Sequence, residues 1–242
     1  MYENNSGYFT AQPQTTTTGT LAKTFMANVF LWMTLAMAVT AVTAFWFAAT
    51  PSLIGSLVNF ETGGMTVLGW IVTLAPLGFV LLMSFGFQKL SPAILTLLFL
   101  GFSVLMGMSL SFILLVYTSA SVFKTFAVAA GMFGIMAVTG YTTKTDLSRF
   151  GSIMMMGLIG IILAMVVNFF LHSSTLDYII SIIGVLVFTG LTAYDVQKLK
   201  RIGTVQADVA GTRKMSIMGA LTLYLDFINL FLFLLRFLGD RR

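Results

Sequence analysis

Thr222-Leu-Tyr-Leu-Asp-Phe-Ile-Asn-Leu-Phe-Leu-Phe-Leu-Leu235 is an apolar run with one carboxylate, Asp226, inside it. The nearest bases, Lys214 and Arg236, stand about ten residues away on either side. No soluble helix is this apolar on all faces, so the run reads as a membrane span. A charge at such depth costs about 3 kcal/mol on insertion scales, which makes Asp226 a functional-site candidate. A second aspartate, Asp195, closes the preceding apolar run, and two on consecutive helices suggest a pair.

The rest of the chain agrees with a membrane reading. Of 242 residues, 58% are hydrophobic and 9% charged, against about 25% charged in soluble domains. Most of the surface must therefore face lipid. The net charge of +5 comes from bases in short loops between apolar runs. That is an orientation signal and not a nucleic-acid footprint. With no cysteine there is no disulfide, thiolate metal site or cysteine nucleophile. The 16 methionines and 23 phenylalanines read as lipid-facing surface and core filler.

Residues 1–22 are polar and read as a disordered cytoplasmic tail, not as a cleavable signal peptide. Residues 23–242 form one domain with seven spans at 24–49, 65–87, 92–117, 122–141, 150–171, 177–197 and 216–238. The fold class is all-α, a polytopic membrane protein. Pro76 predicts a kink in the second span, and Pro92 suits the first turn of the third. With the N-terminus inside, the cytoplasmic segments hold Lys23, Lys89, Lys144, Arg149, Lys198, Lys200, Arg201, Arg213 and Lys214, nine of the thirteen bases. The Arg241-Arg242 end dissents and leaves open a last segment that re-enters instead of crossing. Gly131, Gly134, Gly157, Gly160, Gly184 and Gly190 are expected to serve helix contacts, although no strict GxxxG occurs.

In the seventh span Thr222, Asp226, Asn229 and Phe233 fall within an arc of about 60°. This stripe belongs toward the bundle interior. In the sixth, Thr189, Thr192 and Asp195 lie on neighbouring faces, so the two stripes can meet. Two adjacent carboxylates in a low dielectric do not both ionise cheaply, and they titrate as a unit. At low pH both are neutral and hydrogen-bonded. At higher pH, repulsion or an entering cation separates them. Calcium prefers oxygen ligands, and Asp195, Asp226 and Asn229 offer them. For straight, unshifted helices, however, Asp195 lies about 10 Å nearer the cytoplasm than Asp226. Lys198, Lys200 and Arg201 are rival partners for it. The lone His172 reads as an ordinary interfacial residue, Lys144, Asp146 and Arg149 as a solvated turn, and Arg236 as a snorkelling base.

Three stretches carry a family resemblance: Gly140-Tyr-Thr-Thr-Lys-Thr-Asp-Leu-Ser148, Leu191-Thr-Ala-Tyr-Asp-Val-Gln-Lys-Leu-Lys200 and Gly219 through Arg236. Over residues 20–242 the chain resembles the Bax-inhibitor (transmembrane Bax-inhibitor-motif) family, most closely its bacterial inner-membrane branch. The resemblance implies a seven-helix bundle with the seventh helix central. It implies that Asp195 and Asp226 occupy the family's paired-aspartate positions, with a proton-sensitive calcium leak in characterised relatives. Some relatives carry an arginine after the second helix that latches the pair. Here Ser84-Phe-Gly-Phe-Gln-Lys89 offers Lys89 alone. Some bacterial relatives modulate membrane proteases, so a non-transporting regulator of another membrane protein is the alternative.

The expectation is therefore a non-enzymatic, multi-pass inner-membrane protein with a cytoplasmic N-terminus. It would be a pH-sensitive calcium leak gated by Asp195 and Asp226 in contact with lipid, protons and calcium, without cofactor or nucleic acid. Thr192, Thr222 and Lys89 would support the site, and calcium would pass at Asp195 and Asp226. An intramembrane aspartyl protease is the remote alternative. Tyr194-Asp195 imitates the Tyr-Asp of presenilin-like proteases, but their Gly-x-Gly-Asp is replaced by Leu223-Tyr-Leu-Asp226. The seventh span has no lysine for a retinal Schiff base.

Overall fold

The computed structural model describes residues 15–59, 63–205 and 209–241. Helix α1 (Thr15–Ala49) leads through the short α2 (Pro51–Leu57) and a two-residue ribbon, β1 (Val58–Asn59) with β2 (Gly64–Met65), into α3 (Val67–Gly86). Helices α4 (Pro92–Val116), α5 (Ser119–Thr142), α6 (Ser148–Leu171), α7 (Ser174–Val205) and α8 (Val209–Leu238) follow. Seven of these, all but α2, are long and apolar enough to span. The fold is an all-α polytopic membrane bundle, as hydropathy predicts.

The ends of the helices have local causes. Ser91 caps α4 by accepting from Ile94 N at 3.3 Å, ahead of Pro92 in the first turn. Thr66 and Thr118 cap α3 and α5 in the same way. Helix α6 stops at His172, whose φ of 51° is left-handed and whose N–H returns to Asn168 O at 2.8 Å. His172 is thus a helix terminator as well as an interfacial residue. Pro76 is accommodated inside a continuous α3.

Three departures from the sequence reading stand out. Helix α1 already runs at Thr15, so residues 15–22, expected as disordered tail, are helical; residues 1–14 lie outside the described residues. The element α2 and its ribbon fill the expected loop between the first two spans. Helices α7 and α8 outrun their apolar limits at the ends that face each other in sequence, Val205 and Val209. Lysine and arginine are good helix formers, and a helix leaving lipid needs no apolar side chains.

Helix α8 packs against α1, α4, α5 and α7. In its most apolar stretch 72% of residues are buried, against 6% in α6, so α8 is the interior helix and α6 faces lipid. It also crosses fully. Its C-terminal Arg241 bridges Tyr117 beside the α4–α5 turn, and Thr118 N donates to Asp240 O at 3.1 Å. The starts of α1 and α8 lie at the opposite end, where Phe25 packs on Gly203 and Lys214 reaches the Gln88 carbonyl after α3. The last segment therefore crosses and does not re-enter.

Glycine serves helix contact at some expected positions and not at others. Gly184 and Gly190 are notches for Phe233 and Met154, and Gly157 meets Val187. Gly131, Gly134 and Gly160 have no neighbour within contact distance of a would-be Cβ. A close helix approach lies elsewhere, at Gly140 against the Ala193 backbone.

Candidate functional site

Helices α7 and α8 run antiparallel with a register set by side-chain notches. The Phe233 ring sits on Gly184 and stacks on Phe188 at 5.8 Å, and Leu199 sits on Gly219. At the far end Arg236 Nη1 donates to Asp177 at 3.0 Å, and Tyr178 meets Phe237 at 5.3 Å. Asp226 faces the turn around Thr192, within about one turn, 5.4 Å, of Asp195. This register narrows the depth gap predicted for unshifted helices to about one turn, 5.4 Å, which the side chains span.

The Asp195 and Asp226 carboxyls are neighbours across the α7–α8 interface, near enough to act on each other. Two ionised carboxylates have no hydrogen to share, so a close pair is favoured when one of them carries a proton. Asp226 is 5% exposed, and its Oδ2 receives no N–H or O–H donor among the described residues. A buried acceptor without a donor costs about 1–3 kcal/mol, which a proton or a cation relieves. Asp195 is half-buried, and Lys198 is the base close enough to act on it electrostatically. The rival bases are engaged elsewhere. Lys200 donates to Tyr141 O at 2.7 Å, and Arg201 pairs with Asp146 at 2.7 Å.

The supporting residues are near but turned away. Thr192 donates to Phe188 O at 2.8 Å, Thr222 to Met218 O at 3.1 Å, and Asn229 Nδ2 to Leu225 O at 2.8 Å. Thr192 and Thr222 use their single hydroxyl proton on their own helix one turn back, Asn229 uses one of its two amide hydrogens there, and none of the three donates to Asp226 Oδ2. Thr192 is buried, while Thr222 and Asn229 are half-buried. Lys89 is exposed in the turn after α3 and makes no ion pair among the described residues. It is not brought to the aspartates.

Two features escaped the sequence reading. The first is Gln197, two residues beyond Asp195. Its Oε1 accepts from Leu147 N at 2.9 Å and from Arg201 Nη2 at 2.9 Å, and its Nε2 donates to Thr145 O at 2.8 Å. The solvated turn of Lys144 to Arg149 is therefore fastened to α7. The available signal was a glutamine buried within a basic helix end. Gln197→Ala strands Leu147 N and Thr145 O, and a loss of about 1–3 kcal/mol is expected. Thermal unfolding in detergent reads it, and Gln197→Glu, which keeps the accepting oxygens, is expected to lose less.

The Asp146–Arg201 pair completes this fastening. Hydrogen bonds from the Ser148 side chain, from Arg201 and from the Ser148 backbone hold the Asp146 carboxyl down at about 2. With a folded value below the unfolded one near 3.8, its contribution is complete above about pH 4 and fades as pH falls toward 2. The loop is therefore expected to keep the same accessibility to cleavage from pH 8 to pH 5. A change in that interval would assign pH sensitivity to this loop instead of the aspartates.

The second is a buried polar knot next to the site. Thr40 on α1 donates to Ser103 O on α4 at 2.9 Å. Its single proton is thereby used, so the Tyr224 hydroxyl donates to Thr40 Oγ1 at 2.8 Å. Phe99 and Phe102 enclose the tyrosine ring edge-on at 6.4 and 5.3 Å. This knot ties α8 to α1 and α4 two residues before Asp226.

Comparison with known proteins agrees with this architecture. The family model described as "Inhibitor of apoptosis-promoting Bax1" matches residues 22–242. The chain is 50% identical over 222 residues to inner membrane protein YbhL of Escherichia coli K12, covering 91% of this chain and 93% of that protein. It is 43% identical over 218 residues to an uncharacterized protein of Rickettsia prowazekii, covering 90% of each. A Borreliella burgdorferi protein is likewise 43% identical over 219 residues, covering 90% of this chain and 92% of the relative. With seven apolar spans and a family match from the first span to the last residue, the chain belongs to the Bax-inhibitor family of integral membrane proteins.

Proposed function

We propose that the chain is a pH-sensitive, calcium-permeable leak channel of the bacterial inner membrane, with its N-terminus cytoplasmic and Asp195 and Asp226 as its gate. What supports this reading is the nearness of a half-buried Asp195 to a buried Asp226 whose Oδ2 no donor serves among the described residues. Such a close pair is favoured while a proton is shared. Loss of that proton sets two negative charges side by side, and a divalent cation is the species that relieves them. Among the described residues, the other charged group acting on the two aspartates is Lys198, at Asp195. Among the described residues no group of three or more acidic, histidine or cysteine side chains forms a metal cage. Calcium takes six to eight oxygens when held firmly, so a two-carboxylate site suits an ion in transit.

Reconstitution into liposomes with an internal calcium reporter tests the reading. Influx that rises between pH 5 and pH 8 is expected. Purified protein without influx at any pH removes the channel.

A second reading, a non-transporting regulator of another membrane protein such as a protease, is favoured by α6. This helix packs only one face on α7, and Ile153, Met156, Ile159 and Leu163 point outward. Flux-free protein that crosslinks from α6 to a partner helix would select it.

A further inference from the structure

At the C-terminal end of the bundle a cavity of about 410 Å³ lies where the end of α6, the start of α7 and the end of α8 meet. Asn168 lines it from α6, Ser174 and Asp177 from α7, Arg236 from the last turn of α8, and Arg241 from the residues that follow. The rim stands at interface depth. Phe169 and Phe170 are each 73% exposed, and Tyr178 at the cavity wall is exposed as well. Aromatic rings of this kind mark the boundary between hydrocarbon and headgroups. Arg236 stands about ten residues, or 15 Å, beyond Asp226 along α8. The cavity is therefore separate from the aspartate pair.

The lining is rich in donors. Two guanidinium groups face one carboxylate, Asp177, and leave a net positive charge. Arg236 gives Asp177 one contact, Nη1 to Oδ1 at 3.0 Å, out of five N–H donors. Arg241 makes no ion pair among the described residues. Its guanidinium rests over the Tyr117 ring at 5.8 Å, a contact that orients it without using its N–H groups. Asn168 Oδ1 accepts from Ser173 N at 3.1 Å, which leaves the Nδ2 hydrogens for another acceptor. At the start of α7, Leu176 N and Asp177 N are satisfied by Ser173. Ser174 N, in the cavity wall, has no acceptor among the described residues.

These donors converge from three helices on one space, and an anion with several oxygens is what they fit. Guanidinium forks pair with phosphate oxygens two at a time, and a helix start favours the same group. A carboxylate has two oxygens and would leave some of these donors unserved. The volume is that of a small-molecule pocket, with room for the substituents of a phosphate ester.

We propose that this cavity binds a phosphate group, held by Arg236, Arg241 and the start of α7. Its depth sets it level with phospholipid headgroups, and a free phosphate entering it would meet the same donors.

Isothermal titration of the full-length protein in an uncharged detergent, at fixed ionic strength, tests this. The probes are inorganic phosphate, dihexanoyl-phosphatidylglycerol, and dihexanoylglycerol, which has the same chains and no phosphate. Saturable binding of the phosphatidylglycerol, and none of dihexanoylglycerol, is expected. Arg241→Gln leaves the Asp177–Arg236 pair in place and should weaken binding about tenfold or more, through loss of a charge-assisted contact. Arg236→Gln should do the same, with the unfolding temperature recorded because it also breaks the α7–α8 pair. Lys124→Gln, at an exposed base of α5 outside the cavity, should leave the affinity unchanged. Phosphatidylglycerol binding about tenfold more tightly than inorganic phosphate would identify the lipid headgroup as the source, and equal affinities the free ion. Binding that Arg241→Gln leaves unchanged, that Lys124→Gln weakens equally, or that dihexanoylglycerol shares overturns the proposal. So does the absence of binding by both phosphate probes.

Discussion

Asp226→Asn is expected to hold calcium influx at its low-pH level across the whole range from pH 5 to pH 8. Asparagine has the shape of a protonated aspartic acid and a permanent donor in Nδ2. It can stay beside Asp195 without a titrating proton, so the event that separates the two side chains is lost. Every 1.4 kcal/mol of lost repulsion is a tenfold change in the open population, and suppression of about tenfold or more at pH 8 is expected. Asp195→Asn should flatten the same profile, because Asp226 then has no charged partner to repel it. Helix content and the unfolding temperature should change little, since no packing volume changes. An unaltered flux and pH profile in both variants would remove the aspartates from the gate even if the protein conducts.

Gly140→Ala is expected to be among the most damaging single-methyl changes in the described structure. A Cβ at residue 140 would clash with the backbone carbonyl of Ala193. Backbone cannot rotate aside as a side chain can, so α5 and α7 must move apart along their contact. Overpacking of this kind costs about 1–3 kcal/mol, and the upper end is expected here. Ala193 precedes Asp195 by one turn fragment, so the displacement should also disturb the carboxyl pair and the pH profile. Gly131→Ala, on the same helix but with open space around it, provides the control. It should be neutral or gain up to about 1 kcal/mol of helix propensity. Equal unfolding temperatures for the two variants in detergent would contradict the close α5–α7 approach.

Much of the fold was legible because each span answers to lipid residue by residue. Backbone groups in hydrocarbon must be satisfied within the helix, and apolar side chains must cover it. The run from Thr222 to Leu235 therefore announces a span without reference to any other part of the chain. The same logic marks Asp226 as exceptional, and its stripe with Thr222 and Asn229 follows from helical periodicity alone. It could not say that Thr222 and Asn229 would spend their donors on their own helix, since that choice depends on what the facing helix offers.

Gln197 and Gly140 show the same boundary from the other side. Each looks unremarkable in its own helix, and each acts through a segment about fifty residues distant, the α5–α6 loop or the Ala193 backbone. Lys89 shows the converse: a base at a plausible place in sequence that the bundle leaves in solvent.

By itself, then, the sequence determined seven crossings, the class of fold and the two carboxylates worth attention, because hydropathy and helical period are local. Only the tertiary structure decided that those carboxylates are neighbours. Their nearness depends on the axial slide of α8 against α7, set where Phe233 enters the Gly184 notch and Leu199 the Gly219 notch. An interlock between side chains dozens of residues apart has no local signature, and a slide of two turns would leave the composition and period of both helices unchanged while parting the pair.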